Sequence, residues 1–430
     1  MIRDPIVMLD NLVLSLSDSL DLIHSSVVDH QQRVAYIALR LGRAMGYGPA
    51  ALADLMYAAV LHDIGALSVE EKVSMMKIDF ERHSNHAELG SDLLGGCTHF
   101  AKASEYVRYH HYSWGEEEDW RDSTEEIRLS SNAIHLADYV DRFIDRDAPI
   151  LHQVKGVRSE ISRLEGTWFS PDLVKCFQDL AVQESFWLDF SSSRIYRVLL
   201  DMIAWPRVEL QLGELEQVGM IFSQIVDFRS SFTATHSAGV GTVARELAKR
   251  MYFSEKSCRL MHVAGFLHDL GKVAVPNSIL DKPGKLDPGE FDVIRAHTYY
   301  TYQILSTIGG FEDIAAWAAF HHERLDGKGY PFRLSGSELS LGSRIMCVAD
   351  VFTAITENRP YRRGTERNES MPILHNLVKS GSLDGNIVRI LDENFEEMNG
   401  IRARVQETHM MNYKELIAGR PSHSLKTCNR

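Results

Sequence analysis

The 430-residue chain is poor in the features that mark secreted, membrane-spanning or nucleic-acid-binding proteins. Its five cysteines (Cys97, Cys176, Cys258, Cys347 and Cys428) are scattered and form no C-x-x-C pair. That pattern reads as reduced thiols rather than a disulfide or zinc framework. No basic segment followed by an apolar core opens the chain, and no apolar run approaches spanning length. The expected location is therefore the cytoplasm. Positive charge is in deficit, with a formal net charge of −13. A general nucleic-acid or anionic-membrane binder would carry a basic field instead. A small anionic substrate held by a few local cations remains compatible. Alternating strand patterns are few, and glycine and proline gather between apolar stripes, as in KPGKLDPGE (282–290).

What the chain does have is helical periodicity. Val34, Ile37, Ala38, Leu41 and Met45 form one stripe; Val240, Val243, Ala244, Leu247 and Met251 form another; Ile345, Val348, Ala349, Phe352 and Ile355 form a third. The fold class predicted is all-α, and the length suffices for two or three domains with sizeable cores.

The stripes repeat. VVDHQQRVAYIALRLGRAM parallels FTATHSAGVGTVARELAKRM, YAAVLHDIGALS parallels HVAGFLHDLGKVAV, and VRYHHYSWGE parallels AAFHHERLDG. His30 to His62 and His236 to His268 are both 32 residues apart; His86 to His110 and His297 to His321 are both 24 apart. His111 to Asp138 is 27 residues, against 28 from His322 to Asp350. These spacings describe a duplicated domain, with a boundary expected in IAWPRVELQLGEL (203–215).

Each copy contributes five histidines and two aspartates. In the second copy these are His236, His268, Asp269, His297, His321, His322 and Asp350. Neutral imidazole and carboxylate suit borderline or hard transition metals, and a set without thiolate favours Fe or Mn. Seven donors exceed the needs of one ion but suit two adjacent ions bridged by Asp269. Two ions about 3.5–4 Å apart can hold a hydroxide and clamp a phosphoryl group during in-line attack. A lone histidine in a helical protein is ordinarily a surface or core residue. Here the His-Asp and His-His pairs fall at matching places in the two halves.

HD-x-G-K at 268–272, His297, HHExxDGxGYP at 321–331 and AD at 349–350 followed by RPYR at 359–362 resemble an HD-GYP domain, a branch of the HD metal-dependent phosphohydrolases. The first half resembles a diverged HD domain, and the tandem arrangement is similar to that of Vibrio-type cyclic GMP–AMP phosphodiesterases. The resemblance implies two tandem HD-type helical domains: residues 1–204 diverged and regulatory or structural, 205–398 catalytic, and 399–430 a C-terminal tail. It implies a cytoplasmic hydrolase of 3′,3′-cyclic GMP-AMP and/or cyclic di-GMP that yields the linear dinucleotide through a metal-bridging hydroxide. It further implies two divalent ions in the second domain, no nucleic-acid polymer and no membrane as partner, and allows a homodimer. The alternatives are a catalytically silent cyclic-dinucleotide receptor or another HD phosphohydrolase acting on nucleotides.

Carried over by resemblance, His236, His268, Asp269 and Asp350 hold one ion, and Asp269, His297, His321 and His322 the other. Asp269 and Lys272 are the catalytic pair, with Lys272 facing the scissile phosphate. Arg359 and Arg362 hold substrate phosphates, and Arg324 and Tyr330 border the substrate. Two departures stand out. Phe232 occupies the place of the glutamate that brings a third ion in some members. Thr353 occupies the place of an aspartate three residues after the AD aspartate, which weakens any supporting role expected there. The first copy keeps His30, His62, Asp63, His86, His110, His111 and Asp138 as a second candidate metal site. It has Ala66 where the second copy has Lys272, and HYSWGEEEDW where the second has DGxGYP. Its acidic residues there repel phosphate.

Overall fold

The structure is a computed structural model that describes residues 6–21, 28–66, 85–121, 123–205, 207–229, 234–282, 284–358 and 362–418. Among the described residues there is no β-strand, only isolated bridges. None of the described helices is long and apolar enough to cross a membrane. The all-α expectation holds.

Two compact units share the chain: Met1–Ile225 with Leu270–Ala315, and Val226–Asp269 with Ala316–Arg430. The division does not follow the repeat boundary, because the middle of the second copy folds into the first unit. The chain runs through α1 (Leu9–Asp21), α2 (His30–Ala44), α3 (Pro49–Leu61), α4 (Asn85–Gly95), α5 (Ala101–Arg108) and α6 (Glu125–Phe143). It continues through α7 (Ile150–Arg163), α8 (Pro171–Leu180), α9 (Glu184–Phe190), α10 (Ile195–Met202) and α11 (Leu212–Asp227). The second copy contains α12 (His236–Arg250), α13 (Glu255–Leu267), α14 (Asn277–Leu280), α15 (Pro288–Leu305), α16 (Glu312–Ala319) and α17 (Leu341–Thr356). Beyond it come α18 (Arg367–Lys379), α19 (Gly385–Glu393) and α20 (Phe395–Ala418). The repeat survives in the helices: α2 and α12 both have 15 residues, α3 and α13 both 13, and α5 and α16 both 8.

In the first unit the starts of the helices are written in local chemistry. Pro49 opens α3, where its missing N–H costs nothing, and Thr124 caps α6 by accepting from Ile127 N. Asp287 and Glu290 form a reciprocal capping box at the start of α15. Tyr36, Phe100, Tyr106, Phe177, Phe186 and Trp187 are fully buried. Each such side chain contributes about 1.5–3 kcal/mol of transfer free energy. Helix α1 buries Leu12, Val13, Leu14 and Leu16. It packs on α2 and α3, and also on α15 and the 3-10 turn Leu270–Ala274 of the second copy. The interval between the repeats pairs with the chain start: Leu9 N donates to Val208 O and Leu210 N to Val7 O, both at 2.9 Å.

In the second unit α12 is central and packs against α13, α17 and α20. Ser254 and Ser340 cap α13 and α17 by accepting from Ser257 N and Ser343 N. Asp227 accepts from the Ser237 backbone N at 3.1 Å and its hydroxyl at 2.9 Å, which fixes the first turn of α12. The segment set apart from residue 399 as a tail is, through Ala418, the continuation of α20. Met398, Arg402 and Gln406, spaced one turn apart, are buried there, so this stretch belongs to the packed structure.

Candidate metal centres

Both copies place their histidines and aspartates at equivalent points of equivalent helices. His30 and His236 are the first residues of α2 and α12; His62 and His268 follow directly after α3 and α13. His86 and His297 lie on α4 and α15, the His-His pairs follow α5 and α16, and Asp138 and Asp350 lie on α6 and α17.

The backbone sets the protonation of several of these rings. His62, His110, His268, His297 and His321 each point Nδ1 at the carbonyl three residues back, at 2.8, 2.6, 2.8, 2.5 and 2.6 Å. A carbonyl only accepts, so Nδ1 carries the hydrogen and Nε2 presents its lone pair. This is the arrangement a metal-ligating imidazole needs.

In the first unit, donor atoms of His30, His62 and Asp63 come together within 4.8 Å, as do those of Asp63, His86, His110 and His111. Asp63 is common to both groups, at 3.3 Å from His62 Nε2 and 3.4 Å from His86 Nε2. His62 Nε2 and Asp63 Oδ1 are buried yet make no hydrogen bond, a costly state that a bound cation would relieve. Burial lowers His86 to about 3 against the opposing pull of Asp63, and burial with the neighbouring His62 lowers His110 to about 4, so both are neutral near pH 7. Burial also opposes the charge on His30, but Asp141 and Asp63 outweigh it and raise the ring to about 10. Asp138 lies 3.5 Å from His30 Nε2 and is bound by buried Arg142 at 2.6 Å. The donor set fits a metal.

In the second unit His236, His268 and Asp350 form one group within 4.8 Å, and His268, Asp269 and His321 another. His236 Nε2 lies 3.1 Å from Asp350 Oδ1, and His268 Nε2 lies 3.3 Å from Asp269 Oδ2. His321 Nε2 is 3.9 Å from Asp269 Oδ1, and His322 Nδ1 is 3.9 Å from Asp350 Oδ2. Burial works against ionisation of Asp350, but the His236 hydrogen bond and nearby His322 hold its carboxyl below the usual range. The six residues of this unit expected as ligands are thus gathered, and their buried imidazole–carboxylate chemistry fits metal ions. The seventh, His297, lies in the first unit.

Within that unit Gly271 explains part of the HD-x-G-K motif. A Cβ on Gly271 would lie 2.0 Å from His297 O, and one on Gly65 would lie 2.1 Å from His86 O. The glycine lets the chain after the His-Asp pair rest directly on the helix of the third histidine. Gly271 N also donates to Thr301 Oγ1 at 2.9 Å. Lys272, half-buried, lies on this same turn.

The DGxGYP loop is held by Glu323, a residue the motif contains but to which sequence reasoning assigned no task. Its buried carboxylate accepts from Phe332 N at 2.7 Å and Leu334 N at 3.0 Å. Tyr330 N donates to His322 O at 3.2 Å, and the Tyr330 and His322 rings are 5.0 Å apart. The Tyr330–Pro331 peptide is cis. Gly329 passes so close to the preceding backbone that a Cβ would lie 2.4 Å from Glu323 Cα. Arg324 is tied to Asp326 at 2.9 Å within the loop, and Arg362 donates to Ala354 O at 2.5 Å. Arg359 and Phe232 lie outside the described residues.

Three further residues were not marked by the sequence pattern. Asp141 faces His30 Nδ1 at 2.6 Å, and Glu357 faces His236 Nδ1 at 3.1 Å. Gln406 donates to Glu357 at 3.0 Å. The signal for Asp141 was its place one turn after Asp138; nothing in the repeat points to Glu357 or Gln406.

Paired helical modules, each assembling histidines and aspartates around a His-Asp dipeptide, define a class of metal-binding protein with two HD domains in tandem. HD-domain models match residues 27–142 and 220–387, and the chain belongs to the HD-domain family. It is 31% identical over 391 residues to 3′3′-cGAMP-specific phosphodiesterase 1 of Vibrio cholerae, covering 89% of this chain and 90% of that protein. A cyclic di-GMP phosphodiesterase response regulator of Xanthomonas campestris is 36% identical, over 39% of this chain and 44% of its own. Among solved structures, the cyclic GMP-AMP specific phosphodiesterase V-cGAP3 of Vibrio cholerae matches with a TM-score of 0.62 and 25% identity. That match covers 93% of this chain and 98% of the other.

Proposed function

We propose that this chain is a metal-dependent phosphodiesterase that opens a cyclic dinucleotide, 3′,3′-cyclic GMP-AMP in the first place, to its linear form. The observation that carries the reading is coverage. The cyclic GMP-AMP relative aligns along nearly the whole tandem chain, whereas the cyclic di-GMP relative aligns with less than half of it.

Catalysis is assigned to the second copy. His236, His268, Asp269 and Asp350 would hold one ion; Asp269, His297, His321 and His322 the other, with His297 included on motif order. Fe or Mn suits these donors. When bound, such ions supply an activated water and neutralise charge on the phosphoryl oxygens. The chain's own residues do the rest. Asp269 bridges the two sets, and Lys272 brings positive charge to the phosphate and to the departing 3′ oxygen. Arg359 and Arg362 hold the non-reacting phosphate, a task suited to a guanidinium fork. The glycine-rich loop with Tyr330 and Arg324 borders the substrate. Water adds to phosphorus, the P–O3′ bond breaks, the departing 3′ oxygen takes up a proton, and the one product is a linear dinucleotide ending in a 5′-phosphate and a free 3′-hydroxyl.

The first copy, about residues 1–204, is proposed to bind metal through His30, His62, Asp63, His86, His110, His111 and Asp138 without hydrolysing substrate, and to modulate the catalytic half. Ala66 stands where Lys272 would be needed. The test is a substrate panel: metal-loaded protein with cyclic GMP-AMP and cyclic di-GMP, products separated, and metal content determined on the same sample. Linear product with wild-type protein and none with Asp269→Ala is expected. Binding without turnover of either compound would replace this reading by that of a receptor.

A further inference from the structure

The two copies support their first histidine differently. In the first copy Asp141, three residues after Asp138, faces His30 Nδ1, and Arg33, three residues after His30, binds Asp141. Arg146 adds a second cation at 2.9 Å. Both key positions differ in the second copy: Thr353 stands in place of Asp141 and Gly239 in place of Arg33. Thr353 Oγ1 is buried and makes no hydrogen bond.

The missing carboxylate arrives from one turn further on. Glu357, directly after α17, faces His236 Nδ1 at 3.1 Å with 3% of the residue exposed. The space above Gly239 is taken by Gln406 of α20; a Cβ on Gly239 would lie 2.8 Å from Gln406 Nε2. That nitrogen donates to Glu357 Oε2 at 3.0 Å and to Thr235 O at 3.2 Å. Gln406 Oε1 accepts in turn from Arg402, whose Nη2 donates to Thr356 O at 3.1 Å.

We infer that Glu357, oriented by Gln406 from the helix beyond the repeat, is the positioning carboxylate that sets His236 for metal binding. The inference rests on the reading of His236 as a ligand. A carboxylate on the Nδ1 hydrogen fixes the ring and makes Nε2 a stronger donor. In the first copy two guanidiniums draw on Asp141. In the second the Gln406 amide reaches Glu357. The second copy has thus moved the supporting carboxylate one turn on, to Glu357, and α20 is part of the support of the metal site.

The test uses the full chain with Glu357→Gln, Thr353→Asp/Glu357→Gln and Gln406→Ala. The probe is Mn²⁺, followed as ion retained after gel filtration of chelator-stripped, reloaded protein and as the concentration that half-activates hydrolysis of 3′,3′-cyclic GMP-AMP. Glu357→Gln is expected to need about 10–100-fold more Mn²⁺; the metal-free chain also loses its His236–Glu357 ion pair, so the double variant separates the two effects. Restoring an aspartate at 353 is expected to recover most of the loss, and Gln406→Ala to shift in the same direction by less. Wild-type Mn²⁺ dependence in Glu357→Gln, or no recovery in the double variant, overturns the inference. So does a double variant that regains the metal-free melting temperature but not the Mn²⁺ retention, which would make Glu357 merely structural. Should wild-type protein not hydrolyse the dinucleotide, the retention measurement still decides the role of Glu357.

Discussion

Replacing Glu323 by alanine removes the single carboxylate that receives both Phe332 N and Leu334 N. Each backbone N–H left without a partner costs about 1–3 kcal/mol if it stays buried. The loop can instead swing into water, so the lower end applies and the loss is local, about 2 kcal/mol against the ordered loop. If only the ordered loop receives substrate, the apparent affinity falls with its population, and 2 kcal/mol sets a ceiling of roughly a 30-fold rise in KM, reached when the wild-type loop is itself marginally ordered. The metal-binding residues are not displaced directly, so metal content should remain at the wild-type level. Glu323→Gln should fall between, because one amide oxygen can still accept while its NH₂ faces the other donor. The assay is steady-state kinetics with metal analysis on the same preparations, supported by the rate of proteolysis within 326–338. An unchanged KM in Glu323→Ala with the loop still protected, or loss of metal with KM unchanged, would refute the division between metal set and substrate loop.

Three further outcomes are expected. Gly271→Ala drives a methyl into the His297 carbonyl; overpacking of this kind costs about 1–3 kcal/mol, and Gly65→Ala should cost the same at His86, both seen as lower thermal midpoints. In the metal-free protein His30 and His236 are raised from 6.5 to about 10. Their contribution to stability is therefore complete below pH 6.5 and lost as pH rises toward 10. Metal must displace these protons, so its affinity should climb by up to about tenfold per pH unit across that window, with proton release measurable by calorimetry in two buffers. Arg142→Gln breaks a buried pair with Asp138 and should destabilise the metal-free chain by about 3–5 kcal/mol. Mn²⁺ should restore more of that loss than the stabilisation it gives wild type.

Much of the candidate site could be read from the chain because its donors are locked to helix periodicity. His30 and His236 open matching helices, and the equal intervals to His62 and His268 are the lengths of matching helix pairs. The supports were harder to see. Gly271 was visible as part of a motif, but its reason is the carbonyl of His297, twenty-six residues away in sequence. Glu357 lies one turn beyond the position where an aspartate was sought, and Gln406 lies outside the repeat altogether. No pattern internal to the duplicated unit could signal them, since they replace what the first copy does with Arg33 and Asp141. The tail expected from residue 399 was set apart for the same reason: it has no counterpart in the first copy, and only packing against α12 reveals its use.

Helix α1 belongs to the first copy by sequence, yet it packs on α15 and on the turn that carries Lys272. A duplication starts as two interchangeable parts, either of which can be discarded. Once the first copy's opening helix serves as a wall for the second copy's lysine turn, discarding the first also strips the second. If the first half does not hydrolyse substrate, as proposed, that loss does not free it to disappear. Its opening helix would then be needed as scaffold whether or not it signals, and an inactive truncated second half would be evidence of that dependence before it was evidence of regulation.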